Sequence, residues 1–164
     1  MRRFVPLLFM GLLAAPLPAL AGSWYTYHSN RMAFSLRYPP SWRVTGPVTG
    51  PIVVAGPALS MNIQILPLRP APSMRQTVSA VGRYDQALSR LRWTRTSLGG
   101  RPAMSSVLSP PTEGGVTLSD GVYISASRGH VYEVLFVTYH KPPTRRLARF
   151  PAVYGQILHT WRFL

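Results

Sequence analysis

The chain has 164 residues, with 18 Lys+Arg against 4 Asp+Glu, a formal charge of +14, 46% hydrophobic residues and no cysteine. That length suits one domain with a modest core, and the apolar content exceeds that of a disordered basic tail. The absence of cysteine excludes disulfides, zinc–cysteine centres, iron–sulfur clusters, a thiol nucleophile and the lipidated cysteine of a bacterial lipoprotein.

Residues 1–21 read as a secretory signal. Arg2 and Arg3 form the positive start, residues 4–13 an apolar run, and Ala19-Leu20-Ala21 a small-residue cleavage site. The rival reading is a membrane anchor over residues 4–20. That stretch is at the short limit of a span and holds Pro6, Pro16 and Pro18. Cleavage leaves residues 22–164 as a single domain beginning at Gly22, and the loss of Arg2 and Arg3 takes the charge from +14 to +12. The expected location is outside the cytoplasm, in the periplasm, the cell envelope or the medium. No later run reaches the ~18 apolar residues of a transmembrane helix.

Residues 24–28 form an aromatic strand candidate, and Ser29-Asn30 a turn. In residues 33–38, Phe34, Leu36 and Tyr38 share one face, and Pro39-Pro40 ends the run. Short extended pieces follow at 42–44 and 52–55. Residues 59–66 alternate again, with Leu59, Met61, Ile63 and Ile65 on one side. Ser73 is a candidate N-cap for a helix over 74–91. Met74, Val78, Val81, Tyr84, Leu88 and Leu91 form its apolar face, and Arg75, Arg83 and Arg90 fall on the opposite one.

Next come strands over 93–98 and 102–108, joined by Gly99-Gly100, and a loop over 110–115. Residues 116–126 alternate, with Val116, Leu118, Val122, Ile124 and Ala126 inward, and Arg128-Gly129 makes a hairpin turn. Residues 130–139 are apolar on both faces, Val131, Leu135 and Val137 against Tyr132, Val134 and Phe136. That pattern predicts a central strand covered above and below. A shorter helix starts near Pro151 and carries Val153, Tyr154, Ile157 and Leu158, and residues 160–164 close the chain as a strand. Strands, helix, strands, helix is the order of an α+β domain, an antiparallel sheet flanked by helices.

Four stretches resemble the PsbP-like family, which includes an extrinsic photosystem II subunit and many exported bacterial proteins. They are Tyr27 with Met32-Ala33-Phe34-Ser35-Leu36-Arg37-Tyr38-Pro39-Pro40-Ser41-Trp42, then Gly100-Arg101-Pro102-Ala103, then Val131-Tyr132-Glu133-Val134-Leu135-Phe136, and last Ile157-Leu158-His159-Thr160-Trp161-Arg162-Phe163. They occur in the family's order across residues 22–164. The resemblance implies an α/β/α sandwich, with an antiparallel sheet between helical layers. It implies little about activity, because one fold hosts many functions.

Chemistry-bearing clusters are sparse. The carboxylates Asp85, Glu113, Asp120 and Glu133 are too far apart in sequence for a local calcium loop. His28, His130, His140 and His159 form no zinc motif. His130 and His140 bracket one strand, ~33 Å apart at the rise of extended chain. No G-x-S-x-G elbow, phosphate loop or dinucleotide fingerprint occurs. No catalytic residue, metal or cofactor is therefore assigned.

The remaining signal is charge. Arg75, Arg83 and Arg90 on the first helix, and Arg145, Arg146 and Arg149 before the second, are the candidate anion-binding residues. The bland reading is two solvated surfaces, and the use of 17 Arg to one Lys also fits a bias in genome base composition. The sharper reading is a non-enzymatic exported interaction module of the envelope. Its partners would be an anionic envelope polymer, lipid headgroups or an acidic protein. Nucleic acid is not expected, because an exported protein rarely meets it. The alternatives are a small-ligand carrier and a hydrolase whose site forms only in the fold.

Overall fold

The computed structural model describes residues 23–47, 50–57, 59–108, 112–113, 116–140 and 152–164. The proposed signal and the second basic cluster, Arg145, Arg146 and Arg149, lie outside them.

Eleven strands and three helices are described. They are β1 (Tyr25–Ser29), β2 (Phe34–Tyr38), β3 (Arg43–Thr45), β4 (Ile52–Gly56), β5 (Leu59–Leu66), α1 (Met74–Tyr84), α2 (Gln86–Ser89), β6 (Thr94–Leu98), β7 (Arg101–Leu108), β8 (Thr112–Glu113), β9 (Val116–Ser127), β10 (His130–His140), α3 (Ala152–Thr160) and β11 (Arg162–Phe163). The larger sheet runs β3-β4-β5-β10-β9-β7-β6, with β8 paired on β9, and the smaller runs β1-β2-β11. Every described pairing is antiparallel. This is the α+β class expected from the element order.

The central-strand expectation holds. β10 lies between β5 and β9, with Val134 opposite Ile63 on one side and Tyr123 on the other. Tyr132, Val134 and Phe136 are fully buried in a core shared with Met61, Phe34, Tyr154 and Trp161. The opposite face of the sheet puts Val131, Val122, Ile124 and Leu66 in a second core, under Val78 and Val81 of α1 and Leu88 of α2. One strand thus supplies both cores through its two-residue side-chain period. Phe34, Leu36, Trp42, Val134, Phe136 and Trp161 share the first core, with Tyr38 packed at its edge.

The small sheet and α3 cover that first core. Phe34 stacks on Trp161 with ring centroids 4.3 Å apart. The buried Tyr132 hydroxyl donates to the Met32 carbonyl at 2.8 Å, tying the large sheet to the chain entering β2. The Tyr154 hydroxyl accepts the Ser60 N–H at 3.1 Å and donates to the Val137 carbonyl at 2.7 Å. Ser60 and Val137 face each other across β5 and β10. α3 is therefore bolted to the middle of the sheet by one phenol.

The helix expected over 74–91 is two helices. Ser73 caps α1 as expected, accepting the Gln76 N–H. Asp85 then adopts an extended backbone, donates its N–H to the Val81 carbonyl at 2.8 Å and accepts the Ala87 N–H on its carboxylate at 2.9 Å. An aspartate in that conformation is a good N-cap, so it ends one helix and starts the next. The break lets α2 fold back over Gly82, where an added Cβ would sit 2.9 Å from the Ser89 Cα. Tyr84, placed by periodicity on the apolar face, is exposed at 55% because the helix ends there. The buried stripe of α1 is Thr77, Val78, Val81 and Gly82.

Smaller departures follow similar local causes. Ser29 is the last residue of β1, and the expected turn follows from Asn30, with the Ser29 hydroxyl accepting the Met32 N–H across it. The loop expected over 110–115 contains the two-residue strand β8. Both expected hairpin turns form. Gly99 and Gly100 have φ of 55° and 76°, and Arg128 and Gly129 have 49° and 79°, the positive pairs that match strand twist.

Removing the Tyr154 hydroxyl tests the bolt. Tyr154→Phe leaves the half-buried Ser60 N–H and Val137 carbonyl without that partner and should cost about 1–3 kcal/mol. Phe136→Ala, which opens a cavity beside the same ring, should cost about 3–5 kcal/mol. Urea titration of both variants measures this. A loss below about 0.5 kcal/mol for both would contradict the placement of α3 on β5 and β10.

Candidate functional site: a basic groove beside α1

Arg75 and Arg83 are exposed on α1. With Val78, Ser79, Trp93 and Met104 they line a groove of about 480 Å³ between the helix and the sheet. Arg83 lies back along the helix, its Nη1 donating to Ser79 Oγ at 3.4 Å. An adjoining groove of about 620 Å³ shares Arg75, Trp93 and Met104 and extends past Ser73 to Arg95 and Ala126. Arg95 pairs with Met104 across β6 and β7, which sets an exposed guanidinium beside a thioether on one face of the sheet. Trp93 is partly buried against the helix-side core.

Arg90 does not join them. It is the C-cap of α2 and lines a separate depression of about 470 Å³ with Arg92, Thr94 and Tyr123. The expectation of one continuous basic helix face is corrected here, and its cause is the Asp85 cap. The residues missed from sequence are Trp93, Arg95 and Met104. Their signal was the alternation of the two strands around Gly99-Gly100, which sets Arg95 opposite Met104.

The acids explain why these guanidinium groups stand open. Asp85 is occupied with the Ala87 N–H. Glu133 is buried on the helix-side face of β10, where its Oε1 accepts from Gln64 Nε2 at 2.9 Å. Among the described residues, neither Arg75, Arg83 nor Arg95 has a carboxylate partner. Arg162, by contrast, is committed to the C-terminus of α3, donating to the His159 and Trp161 carbonyls at 3.2 and 2.7 Å.

His28, His130 and His159 are exposed, and no cluster of three or more His, Asp or Glu that could hold a metal is found among the described residues. No helix among them is long and apolar enough to cross a membrane.

Burial pushes the Glu133 carboxyl above its ordinary range. The Gln64 hydrogen bond opposes this, and the nearby Asp85 charge adds to it. The folded state therefore binds a proton that the unfolded chain has released, and stability from this group falls as pH rises through the window above the ordinary carboxylate range. Glu133→Gln keeps a side-chain amide for Gln64 and has no charge to bury. Its stability relative to the parent should be greatest at pH 7 and shrink toward pH 4, read from urea midpoints at both. A difference independent of pH would contradict the buried charge.

No protein-family model matches the sequence, and no curated protein is significantly similar to it. Solved structures do match. The solution structure of cyanobacterial PsbP (CyanoP) from Synechocystis sp. PCC 6803 superposes with a TM-score of 0.55 at 11% identity, covering 94% of this chain and 100% of that one. LpqN of Mycobacterium tuberculosis, described as involved in cell envelope biogenesis, gives 0.53 at 14% identity, covering 85% and 90%. A Bacteroides thetaiotaomicron protein gives 0.59 at 12% identity, and the match covers 85% of this chain but 48% of that longer one. Likeness at this identity speaks for architecture alone. On that footing the chain has the PsbP-like fold.

Proposed function

We propose that the chain is an exported, non-enzymatic interaction module of the cell envelope that holds an anionic component through the groove beside α1. The observation that carries this reading is that Arg75 and Arg83 line one groove and Arg75 and Arg95 the groove adjoining it, while Glu133 is buried against Gln64 and the exposed Asp85 carboxylate is taken up in capping α2. Unpaired guanidinium groups on a chain of charge +14 attract anions and are suited to bidentate contact with carboxylate or phosphate. The likeness to LpqN, a protein involved in cell envelope biogenesis, fits an envelope setting. The signal-like residues 1–21 fit export. A carrier for an apolar ligand is less favoured, because the rim of the groove is exposed arginine, serine and proline.

Two measurements test the proposal. N-terminal sequencing of protein recovered from cell envelopes should begin at Gly22, and an intact Met1 in the membrane pellet would overturn the signal reading. Co-sedimentation with anionic wall polymer should be strong at low salt and weaken steeply near physiological ionic strength, where exposed charges are screened over ~8 Å. The Arg75→Ser/Arg83→Ser double variant should lose most of the binding, and Arg90→Ser should lose little. Equal loss from both would mean that net charge acts without the groove.

A further inference from the structure

Beyond attracting anions, the groove has a floor. Val78, Trp93 and Met104 line the first hollow with Arg75 and Arg83, and Trp93 and Met104 continue into the second with Arg75 and Arg95. The two adjoining hollows, about 480 and 620 Å³, fall in the range of small-ligand sites. Arg75 and Arg83 are eight residues apart on one helix, ~12 Å along its axis, so a ligand with anionic groups spaced along its length can engage both.

We propose that this groove binds an acidic oligosaccharide, with a sugar ring lying on the Trp93 indole and its carboxylates paired with Arg75 and Arg95 or Arg83. The inference rests on the reading of the groove as the anion-binding face and names the class of anion. Two features select a saccharide. An indole offers a flat apolar body on which the C–H face of a pyranose can lie, while guanidinium groups at the rim take carboxylates in bidentate geometry. The rim residues Ser73, Arg75, Arg83 and Arg95 are exposed, so an acyl chain laid here would keep much of its surface in water. Arg95 and Thr96 in the lining belong to β6, the last strand of the sheet, so an extended acidic peptide is the competing occupant, and triglutamate is the probe that reads it.

The test is titration calorimetry of residues 22–164 with three probes at one ionic strength: trigalacturonate, maltotriose and triglutamate. Trigalacturonate should bind at least tenfold more tightly than triglutamate, which carries side-chain carboxylates without rings, and maltotriose should bind at least tenfold more weakly. Arg75→Ser should weaken trigalacturonate about tenfold. Trp93→Phe, which keeps a ring, should stay within about threefold of the parent, whereas Trp93→Leu should lose about tenfold with an unchanged urea midpoint. If Trp93→Leu does not fold, the ranking of the three probes on the parent protein decides alone. Triglutamate binding as tightly as trigalacturonate would overturn the saccharide while leaving a general anion groove. Binding to anionic vesicles that trigalacturonate cannot displace would overturn it in favour of a lipid surface. If neither wall polymer, vesicles nor any acidic probe binds, the anion-binding reading itself fails.

Discussion

Every layer of the molecule is referenced to β10, a strand buried on both faces. Tyr132, Val134 and Phe136 point into the core under α3 and the small sheet, while Val131 belongs to the core under α1 and α2. A one-residue slip in its register would exchange the two sets and put Glu133 where Val134 stands, so the pairing with β5 and β9 is specified from both sides. With no cysteine in the chain, no disulfide can share this task. The small sheet depends on it most. Its third strand is two residues long, too little to stand alone, and it is held by Tyr132 against Phe163 at 5.0 Å and by the Phe34–Trp161 stack.

The groove is a consequence of how thinly the other face is covered. α1 has eleven residues and buries a narrow stripe, Thr77, Val78, Val81 and Gly82. Two of those four are small or polar, and α2 is drawn tight against Gly82. The helix layer packs on β7 and β9 without sealing their flank and leaves Trp93 and Met104 only partly covered. The same local choices that make α1 short create a place where apolar surface and guanidinium groups meet.

Much of the fold was legible because side-chain period reports burial directly. The alternation of Phe34, Leu36 and Tyr38, the two-faced run of β10 and the glycine pair at 99–100 all translate into structure with little interference. What failed was the helix over 74–91, where Met74 to Leu91 keeps a 3.6-residue period through the break. Periodicity continues across Asp85 because Leu88 packs on the same core as Val81, but by a folded-back route. The capping geometry of a single aspartate overrode the pattern. The site was half legible for the same reason. Arg75 and Arg83 could be read from the wheel, whereas Trp93, Arg95 and Met104 join them only through the β6–β7 register, a tertiary fact.

The scarcity of acid gives Asp85 and Glu133 weight out of proportion to their number. On a chain with 18 basic residues and 4 acidic ones, each carboxylate drawn into the fold is one fewer to neutralise the surface. Glu133 is removed by burial between Gln64 and the helix layer. Asp85 stays exposed but is taken up by the first turn of α2, and in capping it directs Arg90 to a different depression from Arg75 and Arg83. Had the helix continued, three arginines would have lined one solvated ridge with no floor beneath them. The break instead leaves two of them beside Trp93 and Met104, where a partner can exclude water from the contact. Charge attraction in such a place is screened less than on an open surface, so it can contribute to selectivity as well as to encounter.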